Sequence, residues 1–362
     1  MLQQLLNFRR QKRALPEVKD IRNQEDIDFL EQSKAHLEEL EDIRKEKFKT
    51  YKWRKKIAIP AGVVLTPFVG FVDFWLLMLQ SSDNDSVAGL SVGLIGGLYW
   101  WVTQPKRQYA KAYKERILPK LANLFGEFRY DLHGEIGLNK IWPSKILPNH
   151  DRYKSEDYFE GTYKGVDIEF SEIDFQQKRR SKNRTYYVSV FKGLAILLDM
   201  KTKKFYGHTM LDKDRGKISE WFKERSNKLK RANLVDPEFE KIFDVYTNDQ
   251  VEARYLIDPV MIERLKGLQE EYDGNSMTAA FYDSKMLILM QSPHNYFEPA
   301  DLEIPATDPR SILSMKNEIG EILSLIDRLS LYDPDAVHKN MPSVETPAAE
   351  EAVSSDIIDQ VV

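Results

Sequence analysis

The chain reads as an α+β protein in which N-terminal helices and a two-helix transmembrane hairpin precede a cytoplasmic antiparallel β-sheet domain with covering helices. Three features predict this. Two apolar runs, 57–79 and 87–103, stand in a chain whose mean hydropathy is −0.50. Downstream, segments rich in β-branched and aromatic residues alternate around turn dipeptides. A long amphipathic stripe then closes the folded part. With 362 residues there is room for two modules and tails. Cysteine is absent, which excludes disulfides, thiolate metal sites and a cysteine nucleophile. The net charge of −4 shows no global basic excess of the kind nucleic-acid binding needs.

Residues 1–56 form a polar N-terminal region rich in helix formers. Leu2, Leu5 and Leu6 precede four basic residues within 1–13, the reverse of a signal peptide's order. A short helix on the membrane surface and a helix packed on the rest of the protein both fit this piece. Residues 23–50 read as one helix with Ile27, Leu30, Leu37, Leu40, Ile43 and Phe48 at apolar positions. Ser33, Arg44 and Lys47 break the heptad, so packing on the same chain is a plainer reading than a coiled coil.

The first apolar run has 23 residues and one ionisable group, Asp73. The second has 17 and no charge, and it carries Tyr99, Trp100 and Trp101 where aromatic belts form. The loop SSDNDS between them is short enough to make an antiparallel hairpin. Residues 44–56 hold eight basic residues and one acid, and Lys106, Arg107, Lys111 and Lys114 follow the second run. The loop has no Lys or Arg, so the positive-inside rule puts both termini in the cytoplasm of a multi-pass protein. Gly62, Thr66 and Gly70 on the first helix and Gly89, Gly93 and Gly97 on the second recur at spacing four. Such grooves let helices pack closely on each other, with an oligomer face as the alternative. Asp73 lies near that face, opposite Gly93 and Ser91 by antiparallel counting. An ionisable group in a span is a functional hypothesis by default, yet two helices offer few polar partners for an ion path.

Residues 104–150 read as a membrane-proximal helix and an irregular linker, and 151–332 as the α+β domain. YFEGTYKGVDIEF reads as a hairpin around Lys164-Gly165, and 278–290 as another around Asp283-Ser284. Residues 185–200 are long for one strand, with Lys192-Gly193 marking a bulge or turn. Residues 205–211 read as a further strand containing His208. Asp236-Pro237, Asp258-Pro259 and Asp308-Pro309 each open a helix, the aspartate capping free N–H groups and proline suiting the first turn. The last helix, 309–331, carries Ile312, Met315, Ile319, Ile322, Ile326 and Leu329 as a core-facing stripe. Residues 333–362, with seven acids and one lysine, read as a disordered acidic tail.

No P-loop, HExxH, GxSxG or strand-following GxGxxG is present, and the six histidines form no ligand pair. No metal or cofactor is expected, and a non-enzymatic protein is favoured over a site assembled from distant residues. Lys178, Arg179, Arg180, Lys182 and Arg184 form a candidate lipid-facing patch, with a solvated hairpin loop as the plain alternative. Aromatic residues are not interleaved with these charges, which argues against nucleic acid as a partner. In 243–265, Thr247 and Gln250 fit a capping box that starts a helical turn at 247 or 248. Asp249, Glu252 and Arg254 crowd into that turn. With Gln250 and Glu172 they make up the candidate cluster, a structural clasp or a ligand site. The clasp is favoured, because a buried network is costly unless every member is paired.

Val251-Glu252-Ala253-Arg254-Tyr255-Leu256, preceded by Asp249-Gln250, resembles the hallmark of a bacterial family known as domain of unknown function 3137 (DUF3137). Glu160-Gly161, Phe170-Ser171-Glu172, Phe191-Lys192-Gly193-Leu194 and Asp236-Pro237-Glu238-Phe239-Glu240 resemble its other motifs. The likeness covers about 104–300 and extends to the hairpin layout. It implies a bacterial inner-membrane protein with a cytoplasmic α+β domain, and a LemA-like membrane protein as a candidate partner. The family has no assigned biochemical activity. The strand count with a C-terminal helix also loosely resembles pleckstrin-homology (PH)-like barrels, by analogy alone. The expectation is a membrane-anchored binding or scaffold protein, in contact with the lipid bilayer and with another membrane or cytoplasmic protein. A membrane-surface enzyme and an accessory subunit of a larger membrane complex are the alternatives.

Overall fold

The computed structural model describes residues 24–79, 89–181, 184–200, 205–212, 229–232, 234, 236–271, 277–292 and 295–329. The expectations for 1–13, for the loop 81–86, for Lys182 and for the tail 333–362 lie outside the described residues. Helix α1 spans Gln24–Leu79 without interruption. The sequence suggested separate helices on either side of residues 50–57. That stretch holds no glycine or proline, so the backbone has no reason to leave the helix, and Pro60 and Pro67 are absorbed further on.

Helix α2, Gly89–Ala112, packs antiparallel on α1. Arg54 donates to the Trp101 carbonyl at 2.8 Å and to the Gln104 side chain, Trp53 meets Trp101 edge-on, and Leu98 lies beside Gly62. A Cβ at Gly93 or Gly97 would meet nothing within 4 Å, so the close approach uses Gly62 and not those two glycines. Thr66 and Gly70 are half-buried and Asp73 is buried. The Ser91 side chain is not among those described. Beyond residue 57 the apolar side chains of α1 face outward, as Val63, Val64, Phe68, Phe71, Phe74 and Met78 show. By length and composition, this helix is long and apolar enough to cross a membrane.

The N-terminal half of α1 behaves differently. Phe29, Leu37 and Leu40 are buried, and Phe29 rests on Phe125. Ser33 and Arg44, which break the heptad, are buried too. The Ser33 hydroxyl turns back to donate to the Phe29 carbonyl, while Arg44 grips Glu41 through two bonds of 2.8 Å and donates to the Leu302 carbonyl. These residues interrupt the heptad because the surface they pack against is the rest of this chain. After α2 the chain passes through a π-turn, Tyr113–Ile117, into the short helix α3, Leu118–Ala122.

The sheet contains β1 (Arg129–Asp131), β2 (Arg152–Tyr163), β3 (Val166–Ser181), β4 (Arg184–Asp199), β5 (Thr209–Asp212), β6 (Lys230–Arg231), β7 (Asp244–Thr247), β8 (Met277–Tyr282) and β9 (Lys285–Gln291). Its order is β1-β2-β3-β4-β9-β8-β5-β7-β6, with every neighbouring pair antiparallel. The protein is therefore α+β with one large antiparallel sheet. Among the described residues β1 and β6 are its two open ends, an arrangement that does not close like the PH-like barrel of the analogy. Lys164 and Gly165 both take positive φ, 49° and 79°, as do Asp283 and Ser284 at 48° and 55°. That is the backbone two-residue hairpins require.

Strand β4 stays a single strand. Its irregularity lies at Val190, where pairing steps from Phe175–Phe191 to Gln176–Ser189, and not at Lys192-Gly193. Gly193 is needed for another reason: a Cβ there would run into the Met290 carbonyl and the Ser292 amide. The strand expected over 205–211 begins only at Thr209, so His208 precedes it.

The helices α4 (Leu138–Ile141), α5 (Phe239–Ile242), α6 (Gln250–Leu256), α7 (Pro259–Glu271) and α8 (Pro309–Arg328) cover the sheet. Asp236, Asp258 and Asp308 accept from backbone amides at the starts of α5, α7 and α8. One core joins Phe159, Phe170, Ile196 and Ile288 to residues of α1, α7 and α8. A second lies on the opposite face, where Phe175, Leu197 and Leu287 meet Ile136, Ile141 and Ile146.

Gly193→Ala forces the two backbones apart and is expected to cost about 1–3 kcal/mol. Gly267→Ala, in open space on α7, is expected to be neutral or slightly stabilising. Thermal unfolding of the detergent-solubilised chain compares the two.

Candidate functional site

Three places hold the candidate residues. The first lies where α2 meets the sheet. Between Glu156 and Phe159 the pairing of β2 with β3 shifts register, and Asp157 takes a φ of 55° there. This bulge turns the Asp157 side chain into the protein. Lys114, carried by the π-turn, meets it at 2.6 Å and reaches Glu298 at 2.7 Å. The Tyr130 hydroxyl donates to the other Asp157 oxygen at 2.6 Å. Glu172 on β3 accepts from the Tyr296 amide beside this group.

Burial opposes the charge on Lys114, but Asp157 and Glu298 outweigh it and hold the ammonium above the usual lysine range. Burial also raises the Tyr130 hydroxyl. Glu172 is pushed up to about 8, by burial first and then by the Asp157 charge. Burial thus favours its neutral acid form over the carboxylate. The cluster ties the extension of α2, strands β1 to β3 and the segment 296–298 together. Among the described residues no group of three or more His, Cys, Asp or Glu is arranged to hold a metal ion. The sequence reading missed Lys114, Asp157, Tyr130 and Glu298, which come from four separate stretches. The one local signal was Glu172.

The second place is the Asp249 turn, and Glu172 does not belong to its hydrogen-bond network. The N-cap of α6 is Asp249, which accepts from the amides of Val251 at 2.9 Å and Glu252 at 3.0 Å. The capping box expected from Thr247 and Gln250 does not form. Thr247 belongs to β7 and donates to the Asp249 carbonyl, while Gln250 donates to the Arg231 carbonyl. Glu252 reaches sideways and accepts from the amides of Tyr206 at 2.7 Å and Gly207 at 2.5 Å. A Cβ at Gly207 would strike that carboxylate. Asp249 and Arg254 are exposed, so the turn holds no buried ionic network. Its bonds pin the segment leading into β5, where the His208 ring bonds the Ser144 carbonyl at 2.8 Å. Burial lowers the basicity of His208.

The third place is the basic patch. Lys178, Arg179, Arg180 and Arg184 are all exposed near the ends of β3 and β4. Pairing sets Lys178 opposite Tyr187 and Arg179 opposite Tyr186, and the Arg152 guanidinium lies 3.9 Å from the centre of the Tyr187 ring. The facing strand thus supplies the aromatic residues that the basic run itself lacks. Linear spacing does not display such pairs, because strand register creates them.

Residues 189–331 match the family described as a protein of unknown function (DUF3137). That agrees with the motif resemblance over the stretch the two share. No curated protein matches the chain. A crystal structure of the mycobacterial trehalose monomycolate transport factor A is 15% identical, with 58% of this chain and 97% of that one covered. The TM-score is 0.30, too low to carry an argument.

The raised Glu172 acid has a consequence for stability. Between its ordinary ionisation range and about pH 8, the folded chain holds a proton that the unfolded chain has lost. Stability therefore falls as pH rises through that window. Glu172→Gln is expected to flatten the fall, gaining on the order of 1–3 kcal/mol over the parent between about pH 5 and pH 9. Unfolding curves at several pH values read this, and parallel profiles would contradict it. Glu252→Ala leaves two amides without their carboxylate and is expected to cost about 1–3 kcal/mol. Val251→Ala, at 77% exposure, is expected to stay within about 0.5 kcal/mol in the same assay.

Proposed function

We propose that the protein is a membrane-anchored binding or scaffold protein of a bacterial inner membrane. In this reading α1 and α2 form a two-helix transmembrane hairpin, and the α+β domain and both chain ends lie in the cytoplasm. The observation that carries the reading is the change in α1 near residue 57. Before it one face of the helix, carrying Phe29, Leu37, Leu40 and Arg44, is buried against the chain, and beyond it the apolar side chains face outward. A surface of that composition needs a nonpolar surrounding. The boundary has the make-up of a membrane interface, where aromatic rings and long basic side chains gather. Trp53, Tyr99 and Trp100 are exposed there. Arg54 and Arg107 lie against Trp101 and Trp100 and donate to their carbonyls.

In the Asp249 turn the carboxylates of Asp249 and Glu252 are engaged by main-chain amides, which favours a structural clasp there over the catalytic site of the enzyme alternative. A LemA-like membrane protein is the candidate partner that the family likeness brings.

The chain has no cysteine, so single introduced cysteines test the topology directly. Asn84→Cys is expected to react with a membrane-impermeant maleimide in intact cells, and Glu263→Cys only after permeabilisation. The reverse pattern would overturn the orientation. In-cell crosslinking of the tagged chain is expected to capture one protein in near-equal amount. Capture of none above a membrane control would contradict the scaffold role.

A further inference from the structure

Strand β2 ends where Arg152 pairs with Gln176, and β9 joins β4 only from Gly193. Among the described strands, residues 177–181 and 184–188 therefore pair with each other alone. They form a two-stranded ribbon about 16 Å long by strand rise. Such a ribbon has no core of its own and is marginal in water. Residues 175–191 hold five basic residues and no acid. The ribbon also exposes Tyr186 and Tyr187, at 49% and 40%. Solvation alone accounts for the cations and Arg152 covers one face of Tyr187, but neither accounts for the exposed Tyr186 ring.

The ribbon's direction follows from a series of contacts. β3 starts at the Lys164 turn, which is tied to Asp327 at the C-terminal end of α8. Lys316, further up α8, pairs with Asp26, and Ala306 before its N-terminus donates to Glu41. Glu41 lies 15 residues nearer the apolar half of α1 than Asp26, about 22 Å along the helix. The Lys164 turn is thus at the end of the domain remote from the apolar helices. β3 runs from there past Glu172, level with the Lys114 cluster, and the ribbon continues toward the apolar end.

We infer that the ribbon is a second membrane contact, an arm whose tip enters the anionic headgroup layer of the leaflet in which α1 and α2 are anchored, so that both of its faces, one with Lys178 and Tyr187 and the other with Arg179 and Tyr186, meet headgroups. The inference rests on the anchor reading above. Lys178, Arg179, Arg180 and Arg184 meet lipid phosphates, and the tyrosine rings sit at headgroup depth, where amphipathic aromatics are favoured.

The test uses the full chain in lipid nanodiscs, with an environment-sensitive fluorophore on Ser181→Cys and nitroxide-headgroup lipid as quencher. Quenching is expected to be at least about twofold stronger with phosphatidylglycerol present than in phosphatidylcholine alone. It is expected to fall to the phosphatidylcholine level in high salt and in the combined Lys178→Ala, Arg179→Ala, Arg180→Ala variant. Quenching that ignores anionic lipid would overturn the inference, as would a ribbon that stays off the disc and binds single-stranded nucleic acid instead. A second label, on Val64→Cys with acyl-chain nitroxides, separates the two readings. If Val64 is quenched and Ser181 is not, the arm fails and the anchor stands. If Val64 is not quenched, both fail.

Discussion

Lys114 carries its charge from the π-turn after α2 into the sheet domain, and Asp157 meets it from a bulge in β2 at 2.6 Å. Both ends of the pair sit on irregular backbone. A π-turn shifts the side chains that follow it around the helix, and a bulge re-aims one residue of a strand. Here the two devices point at each other. A buried ion pair gains little net stability over a well-packed apolar contact, but removing one partner costs about 3–5 kcal/mol. The pair therefore acts as a specification: it sets how the helical part meets the sheet.

A second brace lies on the other helix. Glu41 accepts from Arg44 and from the Ala306 amide, and Arg44 reaches the Leu302 carbonyl. Between the two braces runs the segment 296–306, which supplies Tyr296 and Glu298 to one and Leu302 and Ala306 to the other. Asp301, in the middle, pairs with Lys106 on α2. One strap thus touches both helices and the sheet. These contacts link the apolar helices to the sheet domain at several points along one segment.

What the sequence made legible is local. Lys164-Gly165 and Asp283-Ser284 close their hairpins because two residues decide a turn. The three Asp-Pro pairs cap their helices because an aspartate reaches its own next amides. What it hid depends on distant partners. Glu172 reads as a member of the Asp249 cluster until Lys114 and Asp157 arrive from other elements. Arg44 reads as a break in a heptad until Leu302 meets it. The capping of α6 was misjudged by two residues, because Thr247 is engaged in β7 and Asp249 offers the better acceptor. The ribbon's tyrosines join its cations only through register.

The Lys114–Asp157 pair and the 296–306 strap predict that the helices and the sheet domain move as one rigid unit. Pulsed electron resonance between spin labels on Glu38→Cys and Glu263→Cys, both exposed positions, measures this in lipid nanodiscs. The parent chain is expected to give one narrow distance distribution, which broadens when Lys114→Ala breaks the pair. A broad distribution in the parent chain would contradict rigid coupling.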